Sequence, residues 1–508
     1  MQNNNSINYR QKIENSSVYA VALVTPLTLQ ANLSARIGCR VLLKREDMQP
    51  IFSFKLRGAY SKMANLAPAI LAKGVITASA GNHAQGVALA AQKLDCRAVI
   101  VMPTTTPQIK IDAVKNRGAQ VILFGDSYSD AYVHALELEK TEQLTFVHPY
   151  DDIDVIAGQG TIALEILNAH PEQIHAIFCC VGGGGLLAGV AAYVKAVRPE
   201  IKIIGVEAID AQAMTQSLKL GKRVMLEKVG LFADGAAVKQ VGEHNFALCQ
   251  QLVDEMIVVD NDAICAAIKD VFEDTRSILE PAGALATAGL KEYAKHNDVH
   301  GKTLIGIASG ANMNFDRLRF IAERAELGEQ REAVLAVTIP EQVGAFKAFC
   351  RLLNNRNITE FNYRYSDPKA AHIFVGVAVA NPIETAQLMI DLQAQNLQAL
   401  DLTNNEMAKL HLRHLVGGHA SQAENELIFR FEFPEKPGAL MNFLDAMGQN
   451  WNISLFHYRN HGADSGRVLV GMQVPPNEQA DFDAFLQNMG YPFWDETNNP
   501  AYELFLGK

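Results

Sequence analysis

The chain has 508 residues, 49% of them apolar and 20% charged, a balance that excludes a disordered polymer and leaves room for about three to four domain-sized units. Its 45 basic and 55 acidic residues give a net charge of −10 with no basic run, which argues against nucleic acid as a partner. The seven scattered cysteines form no C-x-x-C pair and predict reduced core residues of a cytoplasmic protein, with no metal site.

The stretch from Met1 to Ser17 is polar and Asn-rich, and the apolar run Val18 to Val24 is too short for a signal sequence. From residue 41 to about 315, β-branched runs alternate with amphipathic stretches. Strands are predicted at Val41–Lys44, Val75–Ala78, Ala98–Met102, Val121–Phe124, Ile177–Val181, Ile203–Val206, Met256–Val259 and Leu304–Ala308. Helices fall between them, as at Val87–Lys93, Ala131–Lys140 and Leu186–Val197. This alternation predicts an α/β fold, parallel sheets covered by helices on both faces, with ligands at the carboxyl ends of the strands. The 19 uncharged residues Ala176 to Val194 approach the length of a membrane span, but Gly182 to Gly185 interrupt them, so no membrane is expected.

Four loops carry candidate chemistry. In Ser53-Phe54-Lys55-Leu56-Arg57-Gly58, Lys55 reads as lying just after a strand and opening a helix, where the macrodipole disfavours a cation and a neutralised, covalently occupied amine would fit. The loop Ser79-Ala80-Gly81-Asn82-His83-Ala84-Gln85 follows a strand and enters a helix, so its consecutive N–H groups make an anion site suited to a carboxylate. His83 is given no catalytic role. The loop Val181-Gly182-Gly183-Gly184-Gly185-Leu186 can cradle a phosphate. The same stretch, Gly183-x-Gly185-x-x-Ala188 with Glu207 at the end of the next strand, also satisfies a dinucleotide pattern, and by itself the loop does not choose between the two cofactors. Ser309 in Ser309-Gly310-Ala311-Asn312 also follows a strand, where a lone serine is more often a helix cap.

The charge-dense segment Ala322 to Glu332 is read as a domain boundary. Past it the sequence repeats. Ile339-Pro-Glu-Gln-Val-Gly-Ala-Phe346 aligns with Phe433-Pro-Glu-Lys-Pro-Gly-Ala-Leu440, and Asn357-Ile-Thr-Glu-Phe361 with Asn452-Ile-Ser-Leu-Phe456. Each copy predicts a split βαβ, ferredoxin-like unit with no catalytic cluster. The expected organisation is a catalytic domain over 1–326, a charged linker over 327–332, and regulatory repeats over 333–405 and 425–508.

Together these motifs, with Glu280-Pro-Ala-Gly-Ala284, resemble the pyridoxal-phosphate enzymes of the tryptophan-synthase β fold (fold type II), and specifically the biosynthetic threonine dehydratases, from Thr25 onward. The resemblance implies that Lys55 carries pyridoxal 5'-phosphate, Phe54 packs on its ring, Asn82 bonds its phenolic oxygen, Gly182 to Leu186 hold the phosphate and Ser309 faces the pyridine nitrogen. It implies L-threonine, and L-serine, as substrates, with 2-oxobutanoate and ammonia as products in the first step of isoleucine biosynthesis. The repeats resemble ACT-like sensors, implying isoleucine as inhibitor and valine as antagonist, with Phe346, Arg356 and Leu440 at the effector site. A homotetramer is implied as well. Serine dehydratase and serine racemase are the near alternatives, and a nicotinamide-dependent oxidoreductase the distant one. Racemases of this fold use a hydroxyl where this chain has Ala80, which favours elimination.

Overall fold

The computed structural model describes residues 7–340, 348–349, 352–353, 356, 358–362, 369–412, 423–434, 451–459 and 465–506. The chain divides into two compact units, Met1–Phe315 and Asp316–Lys508.

The first unit holds strands β1 (Leu27–Leu29), β2 (Arg40–Arg45), β3 (Val75–Ala78), β4 (Ala98–Met102), β5 (Gln120–Leu123), β6 (Thr145–Phe146), β7 (Ala176–Cys180), β8 (Lys202–Ala208), β9 (Glu255–Val259) and β10 (Thr303–Ala308). They form a six-stranded sheet in the order β1-β2-β10-β7-β8-β9 and a four-stranded sheet in the order β5-β4-β3-β6. All pairings are parallel except the edge pair β1 and β2. Every residue of β3, β4 and β7 is buried, as strands with helices on both faces must be. All eight predicted strands are present to within two residues at either end, and the α/β class holds. The uncharged run from Ala176 divides into β7 and the helix Gly185–Val197. No helix among the described residues is long and apolar enough to cross a membrane.

One placement differs from the sequence reading. Lys55 does open a helix, Lys55–Ala64, but β2 ends at Arg45 and a 3-10 turn, Glu46–Met48, intervenes. The extra length brings Glu46 beneath the helix. There Arg57 donates from Nε to Glu46 Oε2 at 2.8 Å, from Nη2 to Glu46 Oε1 at 2.8 Å, and from Nη1 to Glu165 Oε1 at 2.6 Å. Lys44 Nζ reaches Glu165 Oε2 at 2.5 Å and the Thr25 carbonyl at 2.6 Å. All four charges are buried and sum to zero. Burial works against the charged Arg57, but Glu46 and Glu165 outweigh it and hold its pKa above the ordinary value. The same pairing holds Glu46 below the usual carboxylate range despite its burial.

Close helix contacts complete the frame. A Cβ on Gly158, in the helix Ile153–Ala169, would lie 2.6 Å from the Arg57 carbonyl oxygen, and one on Gly189 would lie 2.4 Å from that of Ile156. Only glycine lets the three helices approach this far.

The second unit contains β11 (Glu332–Pro340), β12 (Ile358–Asn362), β13 (Ala370–Ala378), β14 (Gln398–Asp401), β15 (Glu426–Pro434), β16 (Asn452–Arg459), β17 (Ser465–Gln473) and β18 (Phe493–Asp495). These make two antiparallel sheets with the same order, β12-β13-β11-β14 and β16-β17-β15-β18, as the sequence duplication predicts. Each carries a register shift at the equivalent place, between Ile358 and Glu360 and between Ile453 and Leu455. One apolar cluster draws Ala336 and Phe374 from the first repeat and Ile428 and Leu469 from the second. The segment read as a charged linker is not one. Residues Arg317–Gly328 form a helix, Leu327 lies in that shared cluster, and Glu332 begins β11. The compact boundary therefore falls after Phe315 rather than at 326, because the helix buries apolar side chains in the C-terminal core.

Replacing Arg57 with Leu strands two buried carboxylates against Lys44 alone. The expected loss is about 3–5 kcal/mol of folding stability, read as a lower midpoint in urea, and Arg57→Lys recovers little because it lacks the two-sided fork.

Candidate active site

The loops singled out in the sequence meet at the carboxyl ends of β3, β7 and β10. Among mostly buried neighbours, Lys55, Ser79, Ala80, Gly81, Asn82 and Gly182 keep partial exposure, the pattern of residues lining a cleft.

Lys55 follows Phe54, which is buried and offers the helix no side-chain cap. The amine Nζ lies 5.4 Å from the centroid of the Phe54 ring and donates to the Pro149 carbonyl at 3.0 Å. Desolvation pushes its pKa down to about 8, against the opposing influence of Cys180 and Glu280. Backbone bonds fasten this segment to the loop after β10. Phe54 N–H donates to the Ser309 carbonyl at 3.2 Å, Ala311 N–H to the Phe52 carbonyl at 2.8 Å, and Ser53 bridges Gly310. Phe52 takes a positive φ of 55° in this tie, a costly geometry for a non-glycine residue.

Ser309 is not a helix cap, since the next helix starts at Arg317. Its Oγ accepts from Cys180 Sγ at 3.2 Å and donates toward the Ala282 carbonyl at 3.3 Å. Burial pushes the Cys180 thiol up to about 11, so it stays a neutral donor. The hydroxyl thus sits beside the last residue of β7, the strand that leads through Val181 into Gly182.

In the Ser79 loop, Gly81 N–H donates to Ser79 Oγ at 3.2 Å, and the helix Asn82–Leu94 starts with no capping side chain. The loop is open beside that helix start, since nothing lies within 4 Å of a Cβ built on Gly81. Asn82 Nδ2 donates to Glu280 Oε1 at 2.6 Å, and Asn312 Nδ2 donates to Asn82 Oδ1 at 2.7 Å. Those two orienting partners were not assigned from sequence, although both stand in the quoted motifs. The His83 ring is buried against the Val147 carbonyl at 2.9 Å, and burial drives its pKa down to about 3. It stays neutral, with Nε2 engaged by that carbonyl.

The glycine loop is shaped by contact. A Cβ on Gly183 would lie 2.1 Å from Cγ of Tyr150, and one on Gly185 would lie 2.9 Å from the Tyr150 carbonyl. Gly184, with φ of 95°, precedes the helix Gly185–Val197, again without a capping side chain. Consecutive uncapped N–H groups at a helix start suit a phosphate. Glu207, the acid that a dinucleotide ribose would require, is engaged elsewhere. It accepts from Met214 N–H at 2.8 Å, Thr215 N–H at 2.8 Å and Thr215 Oγ1 at 2.6 Å. Burial raises its pKa to about 7. The donor set fits pyridoxal phosphate: an amine of lowered pKa, a flat apolar ring beside it, a glycine cradle and a neutral hydroxyl.

Of the expected effector contacts, Phe346 and Leu440 lie outside the described residues. Arg356 ion-pairs from Nε with Glu384 at 2.9 Å and donates to the Leu353 carbonyl at 3.2 Å. Among the described residues no His, Cys, Asp and Glu cluster could hold a metal.

A family model described as pyridoxal-phosphate dependent enzyme matches residues 20–310. The C-terminal regulatory domain of threonine dehydratase matches twice, at 323–412 and 417–506, in step with the duplicated sheets. The chain is 60% identical over 504 residues to the L-threonine dehydratase biosynthetic IlvA of Burkholderia multivorans, covering 99% of both chains. It is 51% identical over 501 residues to that of Escherichia coli, covering 98% of this chain and 97% of the other. Among solved structures, the processed form of threonine deaminase isoform 2 from Solanum lycopersicum is 54% identical with a TM-score of 0.62, over 63% of this chain and 88% of that one. Maize serine racemase is 32% identical with a TM-score of 0.58, over 61% and 95%. With the lysine, glycine and serine loops converging on one cleft and both domains matched over nearly the whole length, the chain belongs to the biosynthetic threonine dehydratases, pyridoxal-phosphate-dependent ammonia-lyases with a C-terminal regulatory domain.

Proposed function

We propose that the chain converts L-threonine to 2-oxobutanoate and ammonia as the first step of isoleucine biosynthesis, in the cytoplasm and as a homotetramer, with L-serine as a second substrate. The observation that carries this reading is the Lys55 amine, brought to about 8 by desolvation where three strand ends meet. In this reading Lys55 carries the cofactor, Phe54 packs on its ring, Asn82 bonds the phenolic oxygen, Gly182, Gly183, Gly184, Gly185 and Leu186 hold the phosphate, and Ser309 faces the ring nitrogen. When bound, pyridoxal phosphate supplies an electron sink for the pair left at the substrate Cα. The N–H groups from Ser79 to His83 hold the substrate carboxylate. As a free amine with a pKa close to working pH, Lys55 is suited to take the Cα proton. Loss of the β-hydroxyl as water, then of nitrogen as ammonia with water restored, balances threonine against 2-oxobutanoate and ammonia. Ala80 offers no acid to return a proton from the opposite face, which favours elimination over racemisation. Ser309, a neutral hydroxyl, would not hold a proton on the ring nitrogen as a carboxylate would, so the bound cofactor would be a weaker electron sink and elimination would be favoured over transamination.

Lys55→Ala is expected to abolish 2-oxobutanoate formation while circular dichroism stays native, and borohydride should fix a pyridoxyl group on Lys55 of the parent enzyme only. Keto-acid production by the variant would remove Lys55 from its role. The lowered pKa has a second consequence. Between pH 8 and 10.5 the unfolded chain binds more protons than the folded one at this group, so cofactor-free protein gains stability from it as pH rises through that window. Below pH 8 the cost is present in full. Urea midpoints of the parent should therefore rise relative to Lys55→Met from pH 8 upward, and parallel profiles would contradict the shift.

Ser309→Asp would place a carboxylate against the ring nitrogen and favour its protonation. Slower elimination with some transamination is expected in a product analysis by chromatography. An unchanged rate and product ratio would refute that assignment.

The C-terminal repeats are proposed to bind isoleucine as inhibitor and valine as its antagonist, with Phe346, Arg356 and Leu440 at the site. An effector acts only through unequal affinity for two states, and tenfold discrimination is about 1.4 kcal/mol. Truncation after Phe315 should give a threonine-cleaving enzyme indifferent to isoleucine. Full inhibition of that truncation would move the effector site into the first unit.

A further inference from the structure

Behind the glycine loop lies a polar clamp that the reading above does not use. Asn245, fully buried, sits in the first turn of the helix Glu243–Leu252. Its Nδ2 donates to the Gly183 carbonyl at 2.8 Å and to the Tyr150 carbonyl at 3.0 Å. Gly242 N–H donates to the same Gly183 carbonyl at 3.1 Å. A trans peptide is planar, so a carbonyl held toward one side points the following N–H to the other. Both donors hold the Gly183 carbonyl on the helix side, and the Gly184 N–H consequently faces away from them.

The clamp reaches the lysine as well. Asp151 accepts from Glu243 N–H at 2.8 Å and from His244 N–H at 3.0 Å, capping the helix that carries Asn245. Asp151 and Tyr150 both donate their backbone N–H to His148 Nδ1, at 2.8 and 3.2 Å. Pro149, between them, is the residue whose carbonyl receives Lys55 Nζ. The Tyr150 ring occupies the space against Gly183. Residues 148–151 thus touch the amine on one side and the glycine loop on the other, and Asn245 ties the two.

We propose that Asn245 is a positioning residue for the phosphate end of the cofactor, aiming the Gly184 N–H into the loop by holding the Gly183 carbonyl out of it. The inference rests on the assignment of Gly182 to Leu186 as the phosphate cradle. Loss of the Asn245 donor leaves the Gly183 carbonyl with the longer bond from Gly242 N–H and loosens that peptide, and a carbonyl turned inward would repel the anion that the N–H attracts.

The test compares two ligands that differ only by the phosphate. Cofactor-free enzyme is titrated with pyridoxal phosphate and with pyridoxal, followed by absorbance. Asn245→Ala is expected to weaken pyridoxal phosphate at least tenfold while leaving pyridoxal within twofold. Equal weakening of both ligands, as a merely structural residue would cause, overturns the proposal, and so does an unchanged ratio. If the parent protein itself shows no preference for the phosphorylated ligand, the cradle assignment fails, a separate result from failure of the Asn245 inference. Should Asn245→Ala not fold, Asp151→Asn loosens the same helix start from a partly exposed position. A several-fold drop in the phosphate preference supports the clamp there, and an undiminished preference overturns it.

Discussion

The site depends on an electrically neutral knot of four buried charges, Lys44, Glu46, Arg57 and Glu165. A lone buried carboxylate or guanidinium is costly, and each of these tolerates burial only because the others are in hydrogen-bond reach. Arg57 is two residues from Lys55 in the same helical turn, so satisfying Arg57 also fixes where Lys55 emerges. Lys44 belongs to β2, Glu46 to the turn after it and Glu165 to the helix Ile153–Ala169. The knot therefore locks strand, turn and two helices into one geometry. Well-packed apolar residues could equal its net stability, but they would not supply the directed hydrogen bonds that join these four side chains.

From that fixed point the remaining parts arrive by backbone. Parallel pairing brings the carboxyl ends of β7 and β10 side by side, and Cys180 and Ser309 end in contact across that pair. Segment 52–54 is laced to 309–311 by main-chain bonds, which side-chain changes cannot easily undo. Desolvation then does the chemical work, because the enclosure that positions Lys55 also lowers its affinity for a proton. Position and reactivity of the amine have one cause.

Much of this was legible in the sequence because the signals were periodic or local. Buried parallel strands are short apolar runs, so all eight were found nearly to the residue. The glycine loop and the Ser79 loop were visible because an anion site needs bare backbone at a helix start. The repeat was visible because both copies kept the same turn and strand residues, and even the bulge recurs at the equivalent position. What escaped was long-range and polar. The pairing of Arg57 with Glu165 joins residues 108 apart, and the grip of Asn245 on Gly183 spans 62. No spacing rule links such pairs. The strands β1 and β6 were missed because three and two residues are too few to show alternation. The supposed linker misled for the opposite reason. Its charges suggested solvent, but Leu327 lies in the core and Arg324 is buried and bonded to Glu406 at 2.7 Å.

That last pair bears on what the second unit can do. Glu406 is held by Arg324, Lys409 and Arg467. Burial would raise its pKa, but those three cations bring it down to about 2, so it is a fixed anion and not a proton carrier. Arg467 reaches Glu406 from the second repeat and also approaches Glu432 of its own repeat at 3.6 Å, where Arg430 pairs with Glu496 at 2.9 Å. The Glu406 and Arg467 pair ties the two repeats, and Glu406 held as an anion has no proton to offer. A unit built so can influence a reaction only by binding something differently in different states, and coupling of that sort is reciprocal. If a ligand bound there shifts the state of the first unit, reciprocity requires that the state of the first unit alter the affinity for that ligand by the same factor.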